Sequence, residues 1–344
     1  MKRFLFLLTV FCSLTGTAQQ RDSFWKDLNN FLDRRADIAY AKFDSTYIGR
    51  YPFRWDARLF YKTAGMYYLT EGMGDNDVRL STGTNHRVGV GIRYRGIGLS
   101  YSHAIGKKFN LDLCIDSYTK HFCVEYALRM TTGLSGSGQK VGNPAQDVDN
   151  VLLGESRLNL FYSFNPRFSY AAAMRQSQIQ RRSAGSFIAA LTWSVWDILE
   201  LAELGDSIDI SNGFNINELI QGLLATNSFY YRISLGGGYG YNWVLGHQHW
   251  LLHGSLVPMW TVYDAVYNWS LNEKYYKSYP NGWLSFSAAI RAGIYYRWGE
   301  HWSVGVSGLL NQMVSRNSLS RKAEGFTRFG AQDWQTYFSL TFRF

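Results

Sequence analysis

The chain has 344 residues and a net charge of +9; 46% of its residues are apolar, 17% aromatic and only 18% charged. So few charges beside so many aromatics exclude a disordered chain, and 3 cysteines exclude a disulfide scaffold. With 33 glycines against 5 prolines, the composition points to β-structure joined by tight turns.

Residues 1–18 have the parts of a secretory signal. Lys2 and Arg3 form a basic start, residues 4–11 an apolar run, and Ala18 a small-residue cleavage position before Gln19. The run falls far short of the about 20 residues a membrane-crossing helix needs. Cys12 follows the bulky Phe11, which argues against lipid attachment there. Loss of Lys2 and Arg3 lowers the net charge from +9 to +7. The expected organisation is a signal peptide at 1–18, a periplasmic N-terminal segment at 19–56 and one membrane domain at 57–344. Within 22–42, Phe24, Leu28, Phe31, Leu32 and Ile38 recur near helical spacing. A short amphipathic helix and a flexible leader both fit that pattern.

From residue 57 onward the dominant period is two, which puts alternate side chains on opposite faces of a strand. In 87–94, Val88, Val90, Ile92 and Tyr94 alternate with Arg87, Gly89, Gly91 and Arg93. In 121–130, Phe122, Val124, Tyr126 and Leu128 alternate with Cys123, Glu125, Ala127 and Arg129. Residues 284–298 and 333–344 behave the same way, the last strand placing Trp334, Phe338, Leu340, Phe342 and Phe344 on one face. Thirteen segments qualify: 57–70, 78–95, 97–105, 109–117, 120–131, 152–164, 167–178, 185–196, 228–243, 248–263, 283–298, 302–314 and 331–344. Tight turns are expected at Arg95-Gly96, Asn165-Pro166 and Gly299-Glu300, and loops at 132–151, 197–226, 264–282 and 315–330.

Strands this long exceed the about 5–6 residues usual in soluble sheets and match the about 9–11 needed to cross a bilayer. Trp250, Trp260, Trp283, Trp298, Trp302 and Trp334 lie near strand ends, as an interfacial girdle requires. Lipid admits strands only in a closed barrel, where every backbone group is paired. The predicted fold is therefore all-β: a transmembrane antiparallel up-and-down β-barrel in the outer membrane of a Gram-negative bacterium. Single-chain bacterial barrels carry even strand numbers. About 12 strands are predicted, with 10 and 14 open, so one of the thirteen segments is false or a strand hides within 197–226.

The segments Val88–Tyr101 (VGVGIRYRGIGLSY), Asn165–Tyr170 (NPRFSY), Ser183–Phe187 (SAGSF) and Leu235–Asn242 (LGGGYGYN) resemble those of an outer-membrane barrel family of the Bacteroidota described only as domain of unknown function 4421. The likeness spreads over roughly 57–344. These are glycine-and-turn motifs; the resemblance implies a barrel and its location, and no activity. Cys114 and Cys123 are not expected of that family.

Strand parity assigns Arg87, Arg93, Arg129, Arg157, Arg232, Arg291 and Arg297 to the inward face, with Arg58, Lys62, Arg167, Arg175 and Arg343. Asp112, Asp116, Glu125 and Asp333 share that face. Two readings follow: a filled interior stiffened by ion pairs, or a narrow anion-favouring route. Basic residues enclosed in a barrel argue against nucleic acid as a partner. The expected partners are outer-membrane lipid and lipopolysaccharide, together with the barrel-assembly machinery reading the terminal Phe344.

His253 and Ser255, two residues apart on one strand, with Asn242 on the preceding one, have the spacing of an outer-membrane phospholipase. A histidine beside a serine can act as its general base. Their parity is inward, however, while Trp250, Leu252, Leu256 and Trp260 take the lipid face. Leu251 and the Leu256-Val257 pair also replace that enzyme's flanking residues. No catalytic residue is therefore assigned, and this trio stands as an alternative. His247, His249 and His253 share a face without a fixed carboxylate or thiol, so lumen polar residues are expected, not a metal site. No cofactor is expected. A hairpin turning on Tyr118-Thr119 would set Cys114 opposite Cys123; a cross-strand disulfide and two free thiols are the alternatives there. The expected function is passive: a narrow, porin-like pore or structural barrel, with a lipid-modifying enzyme, or a barrel docking a partner through 197–226, as other classes.

Overall fold

A computed structural model describes residues 26–27, 29–31, 33–34, 43–73, 76–106, 110–132, 134–138, 146–148, 151–200, 228–269, 275–277, 285–316 and 328–344. The chain divides into two units, residues 1–43 and 44–344. In the first, the described residues between 26 and 34 are helical, in keeping with the amphipathic spacing.

The second unit is a closed antiparallel barrel. Its twelve strands are β2 (Trp55–Met73), β4 (Asn85–Tyr94), β5 (Ile97–Ala104), β6 (Asn110–Tyr118), β7 (Phe122–Thr131), β10 (Val151–Ser163), β12 (Ala184–Glu200), β13 (Ser228–Leu245), β14 (Trp250–Trp269), β16 (Phe286–Trp298), β17 (Trp302–Arg316) and β18 (Arg328–Arg343). Each pairs with the next, and β18 returns to β2 from Arg328–Glu71 to Arg343–Asp56, so the ring has no free edge. The smaller strands β3 (Asn76–Ser81), β8 (Leu134–Gly138) and β9 (Gln146–Val148) continue from the far half of β2, and β15 (Tyr275–Lys277) pairs with the end of β14. Strands β12 and β14 thus run into 197–200 and 264–269, where loops are expected from sequence.

One rim carries tight turns. Arg95 and Gly96 both take positive φ, 48° and 92°, the geometry a two-residue hairpin needs to match strand twist. The turns at 246–249 and 299–301 lie on the same rim, as do Trp55 and Phe344, whose backbones exchange hydrogen bonds of 3.1 and 3.0 Å. Aromatic rings follow each other around it: Trp250 to Tyr296, Tyr296 to Trp298, Trp298 to Trp302, Trp302 to Phe342 and Phe342 to Phe344, at centroid distances between 4.6 and 6.2 Å. Trp250, Trp298 and Trp302 therefore fulfil the girdle expectation; Trp283 lies outside the described residues.

The false segment among the thirteen is 167–178. It is not a wall strand. The connection between β10 and β12 holds a helical turn, α1 (Tyr170–Arg175), and a short strand, β11 (Gln178–Gln180). The hydroxyl of Ser169 accepts a 3.0 Å bond from Ala172 N and caps the helix; three alanines continue it, and Gln176 ends it at φ 51°. Strand β1 (Ile48–Arg50), from the N-terminal side of the barrel, pairs with β11. Ile48, Tyr51, Phe168, Tyr170 and the alanines are buried, and Phe168, Tyr170 and Ala171 pack with Phe161, Ile188, Val257 and Ala289 of the wall. These pieces form an internal plug at the tight-turn rim.

Burial in the wall is inverted relative to a soluble protein. Val90 is 57% and Phe187 71% exposed, while Arg87 and Arg232 are 1% exposed. The greasy half of each strand faces out and the charged half faces in. Among the described residues no helix is long and apolar enough to cross a membrane, a statement that leaves strand crossing open.

Candidate functional site

The candidate site is the barrel interior. Every predicted inward residue of the central strands is there: Arg87, Arg93, Arg129, Arg157, Arg232, Arg291, Asp112 and Asp116 are buried, and Glu125 nearly so. Two expectations of parity need correction. Arg167 lies outside the lumen, exposed in the turn leading to α1 and bonded to Asp44 at 3.2 Å. Arg175 is inside, but on the plug helix instead of a wall strand. Arg297 keeps its inward parity at the tight-turn rim, lining a small space with Tyr51, Gln176 and Tyr295 and donating to the Gln248 carbonyl at 3.1 Å.

Charges inside are matched by shared carboxylates. Asp112 holds Lys62, Arg87 at 3.3 Å and Arg129 at 3.4 Å. Asp333 holds Arg129 and Arg157, the latter at 3.0 Å, and Glu155 holds the same two arginines. Asp116 joins Arg93 to Arg175 of the plug at 2.8 Å, with Asp56 a further 3.9 Å partner of Arg93. Arg291 binds Glu125 through both of its terminal nitrogens, at 2.6 and 2.9 Å, and Tyr118 donates to the same carboxylate at 2.7 Å. An isolated buried charge is prohibitively costly, so such pairing is what permits these groups to stay inside.

The pairs also cross the lumen. Strands β10 and β18 stand opposite each other, six positions apart either way round the ring, and Arg157 and Asp333 bridge them. Arg129–Asp333 and Arg291–Glu125 span β7 to β18 and β16 to β7, nearly as wide. Beside these pairs lies a cavity of about 70 Å³ walled by Arg129, Arg157, Arg291, Asp112 and Glu125, with Met174 and Arg175 of α1 on its plug side. Sequence reasoning missed Asp56, placed before the first strand, and Glu155, although Glu155 has the parity of Arg157.

Asn242, His253 and Ser255 do come together. His253 Nδ1 is 2.8 Å from Asn242 Oδ1, and Nε2 is 3.1 Å from Ser255 Oγ. Asn242 spends its amide hydrogens on Ser169 O and Gln180 Oε1, both at 3.0 Å, so its oxygen can only accept. That puts the imidazole proton on Nδ1 and leaves Nε2 to accept from the serine. All three are buried on the lumen face, with Phe168 and Tyr170 of the plug segment packed on the imidazole ring. His247 and His249 do not share this environment; both occupy the 246–249 rim turn. Among the described residues no cluster of histidine, cysteine and carboxylate groups is built to hold a metal.

The cysteine pairing is corrected. The β6–β7 hairpin turns over 119–121, with Thr119 N donating to Phe122 O at 2.8 Å, so Tyr118 faces Cys123 and Cys114 faces Ala127. Both thiols are free.

The family model described as Domain of unknown function (DUF4421) matches residues 42–332. No curated protein matches the chain in sequence. Among solved structures, the outer membrane protease OmpT from Escherichia coli is similar over 85% of this chain and 97% of its own, at 9% identity and a TM-score of 0.40. The β domain of the Bordetella autotransporter BrkA is similar over 84% and 99%, at 10% identity and a TM-score of 0.39. An outer membrane channel from Pseudomonas putida F1 is similar over 85% and 96%, at 8% identity and a TM-score of 0.30. At these values no activity carries over from them.

Proposed function

The chain belongs to the DUF4421 family, and from that premise we propose that it is a passive outer-membrane barrel of a Gram-negative cell whose lumen is closed, not an open pore. The inverted burial of the wall and the aromatic rim support lipid as the surroundings. Residues 1–18 act as the export signal, and the terminal Phe344 is read by the assembly machinery. The partners of the exterior are outer-membrane lipid and lipopolysaccharide. The single observation behind the closed lumen is the Arg157–Asp333 pair, 3.0 Å long between diametrically opposed strands. A route along the axis must break that bridge and displace the plug.

Purified chain reconstituted in planar bilayers tests this. Electrical silence under ordinary voltages is the expected result. Steady anion-preferring conductance from the intact chain overturns the closed reading in favour of the narrow pore.

One observation favours a second reading, a lipid hydrolase: the Ser255–His253–Asn242 geometry has the tautomer that general-base activation requires. Hydrolysis of phospholipid or lipopolysaccharide that disappears in His253→Ala would establish it. Docking through 197–226 concerns a segment lying almost wholly outside the described residues.

A further inference from the structure

We propose that Arg167, Arg181 and Arg182, gathered about Tyr47 at the tight-turn rim, form a docking site for the headgroup phosphate of an anionic phospholipid. This deepens the passive-barrel reading and rests on its lipid-facing wall: it names the lipid class and the place that holds it. Bacterial barrels carry their short turns on the periplasmic side, so this rim meets the phospholipid of the inner leaflet.

The first observation is accessible, unspent charge. All three arginines are exposed. Among the described residues one carboxylate reaches the group, Asp44, at 3.2 Å from Arg167; none pairs with Arg181 or Arg182. An exposed guanidinium fork matches two oxygens of a phosphate. The second is that the cluster is already assembled. The guanidinium carbons of Arg167 and Arg182 both lie over the ring of Tyr47, 4.8 and 5.8 Å from its centroid. Arg181 donates through Nη1 to the Ser45 carbonyl at 2.9 Å, and its main-chain N to that of Tyr47 at 2.7 Å. Gly49 leaves the room it occupies: a Cβ there would stand 2.8 Å from Arg181 Nε. Groups held in place before a ligand arrives lower the ordering cost of binding.

The third observation selects the ligand. The cluster is continuous with the hydrocarbon-facing wall. Phe164 and Phe187 flank the arginines in sequence, are exposed on the outer face and share a 3.1 Å main-chain bond. Ser183 Oγ accepts from Val244 N at 2.9 Å, which sets Arg182 beside the outward Trp243 and Leu245 of β13. A ligand that uses both surfaces carries an anionic head and acyl chains. An acidic protein or a free phosphate uses the arginines alone.

Full-length chain is reconstituted in vesicles of equal parts phosphatidylglycerol and phosphatidylcholine. Insertion is checked by protease protection of the wall, and the lipids retained after detergent extraction are counted by native mass spectrometry. Preferential retention of phosphatidylglycerol is expected. The double variant Arg181→Gln with Arg182→Gln should cut that preference about thirtyfold, about fivefold for each arginine. Arg182→Gln alone, with its fivefold loss, decides the matter if the double variant does not fold. Lys120→Gln, on the β6–β7 turn of the same rim, should leave the preference unchanged. Equal retention of the two lipids by an inserted chain, or equal loss in Lys120→Gln, overturns the proposal and leaves the lipid-facing wall standing. A native chain that inserts into no vesicle overturns both. Soluble polyglutamate that binds these arginines more tightly than phosphatidylglycerol overturns the proposal in favour of an acidic protein.

Discussion

Val90→Arg is the sharpest test of which side of this wall meets hydrocarbon. Val90 lies near the middle of β4, 57% exposed, between Leu59 of β2 and Tyr101 of β5 on the outer face. In a water-soluble protein a substitution at so open a position changes stability by less than about 0.5 kcal/mol. At the mid-depth of a bilayer an arginine on the lipid face costs about 2–4 kcal/mol. That corresponds to a shift of roughly 30- to 700-fold in the folding equilibrium. The neighbouring outward residues Val88 and Ile92 leave the guanidinium no polar partner on its own strand face. The assay is reversible denaturant unfolding from phospholipid vesicles, followed by tryptophan emission, for the native chain and the variant. A loss inside the 2–4 kcal/mol window supports the inside-out assignment. A change below about 0.5 kcal/mol, with the variant folded, refutes it.

Further outcomes follow from the interior. Asp116→Asn should cost about 3–5 kcal/mol, because Arg93 and Arg175 lose the carboxylate they share, and it should loosen the plug enough to raise protease access at α1. A double-mutant cycle on Arg291→Ala and Glu125→Ala should give a coupling of about 1–3 kcal/mol; additivity within about 0.3 kcal/mol would contradict the two-pronged contact. Alkylation of unfolded, unreduced chain should label both Cys114 and Cys123, with no mass difference after reductant; a shift of two hydrogens would restore the cross-strand bond.

The wall was legible in the sequence because a two-residue period carries its own face assignment. Val88, Val90 and Ile92 point outward and Arg87 and Arg93 inward as their parity demands. The plug was not, because alternation over 167–178 is short enough to arise by chance in a helix-forming run. The signals that distinguish it were present: a capping Ser169, three alanines and the two rim strands close to each other without need of a hairpin strand between them. Cys114 went astray by the position of the turn. It is centred on 120–121 instead of 118–119, and a shift of two residues along the chain moves the partner by four, from 123 to 127; nothing in the composition of 118–122 fixes that centre. The Asn242–His253–Ser255 meeting was readable from spacing, whereas its cover by the plug depended on the segment that sequence misassigned.

The seam between β18 and β2 has a consequence for timing. It joins the last long strand to the first through sixteen residue pairs, and it ends where Phe344 and Trp55 lock their main chains together. Until that strand meets β2, both margins of the sheet carry unanswered amides that hydrocarbon cannot tolerate. The ring therefore has no comfortable halfway state: without β18, the margins of β17 and β2 are left with nothing to pair against.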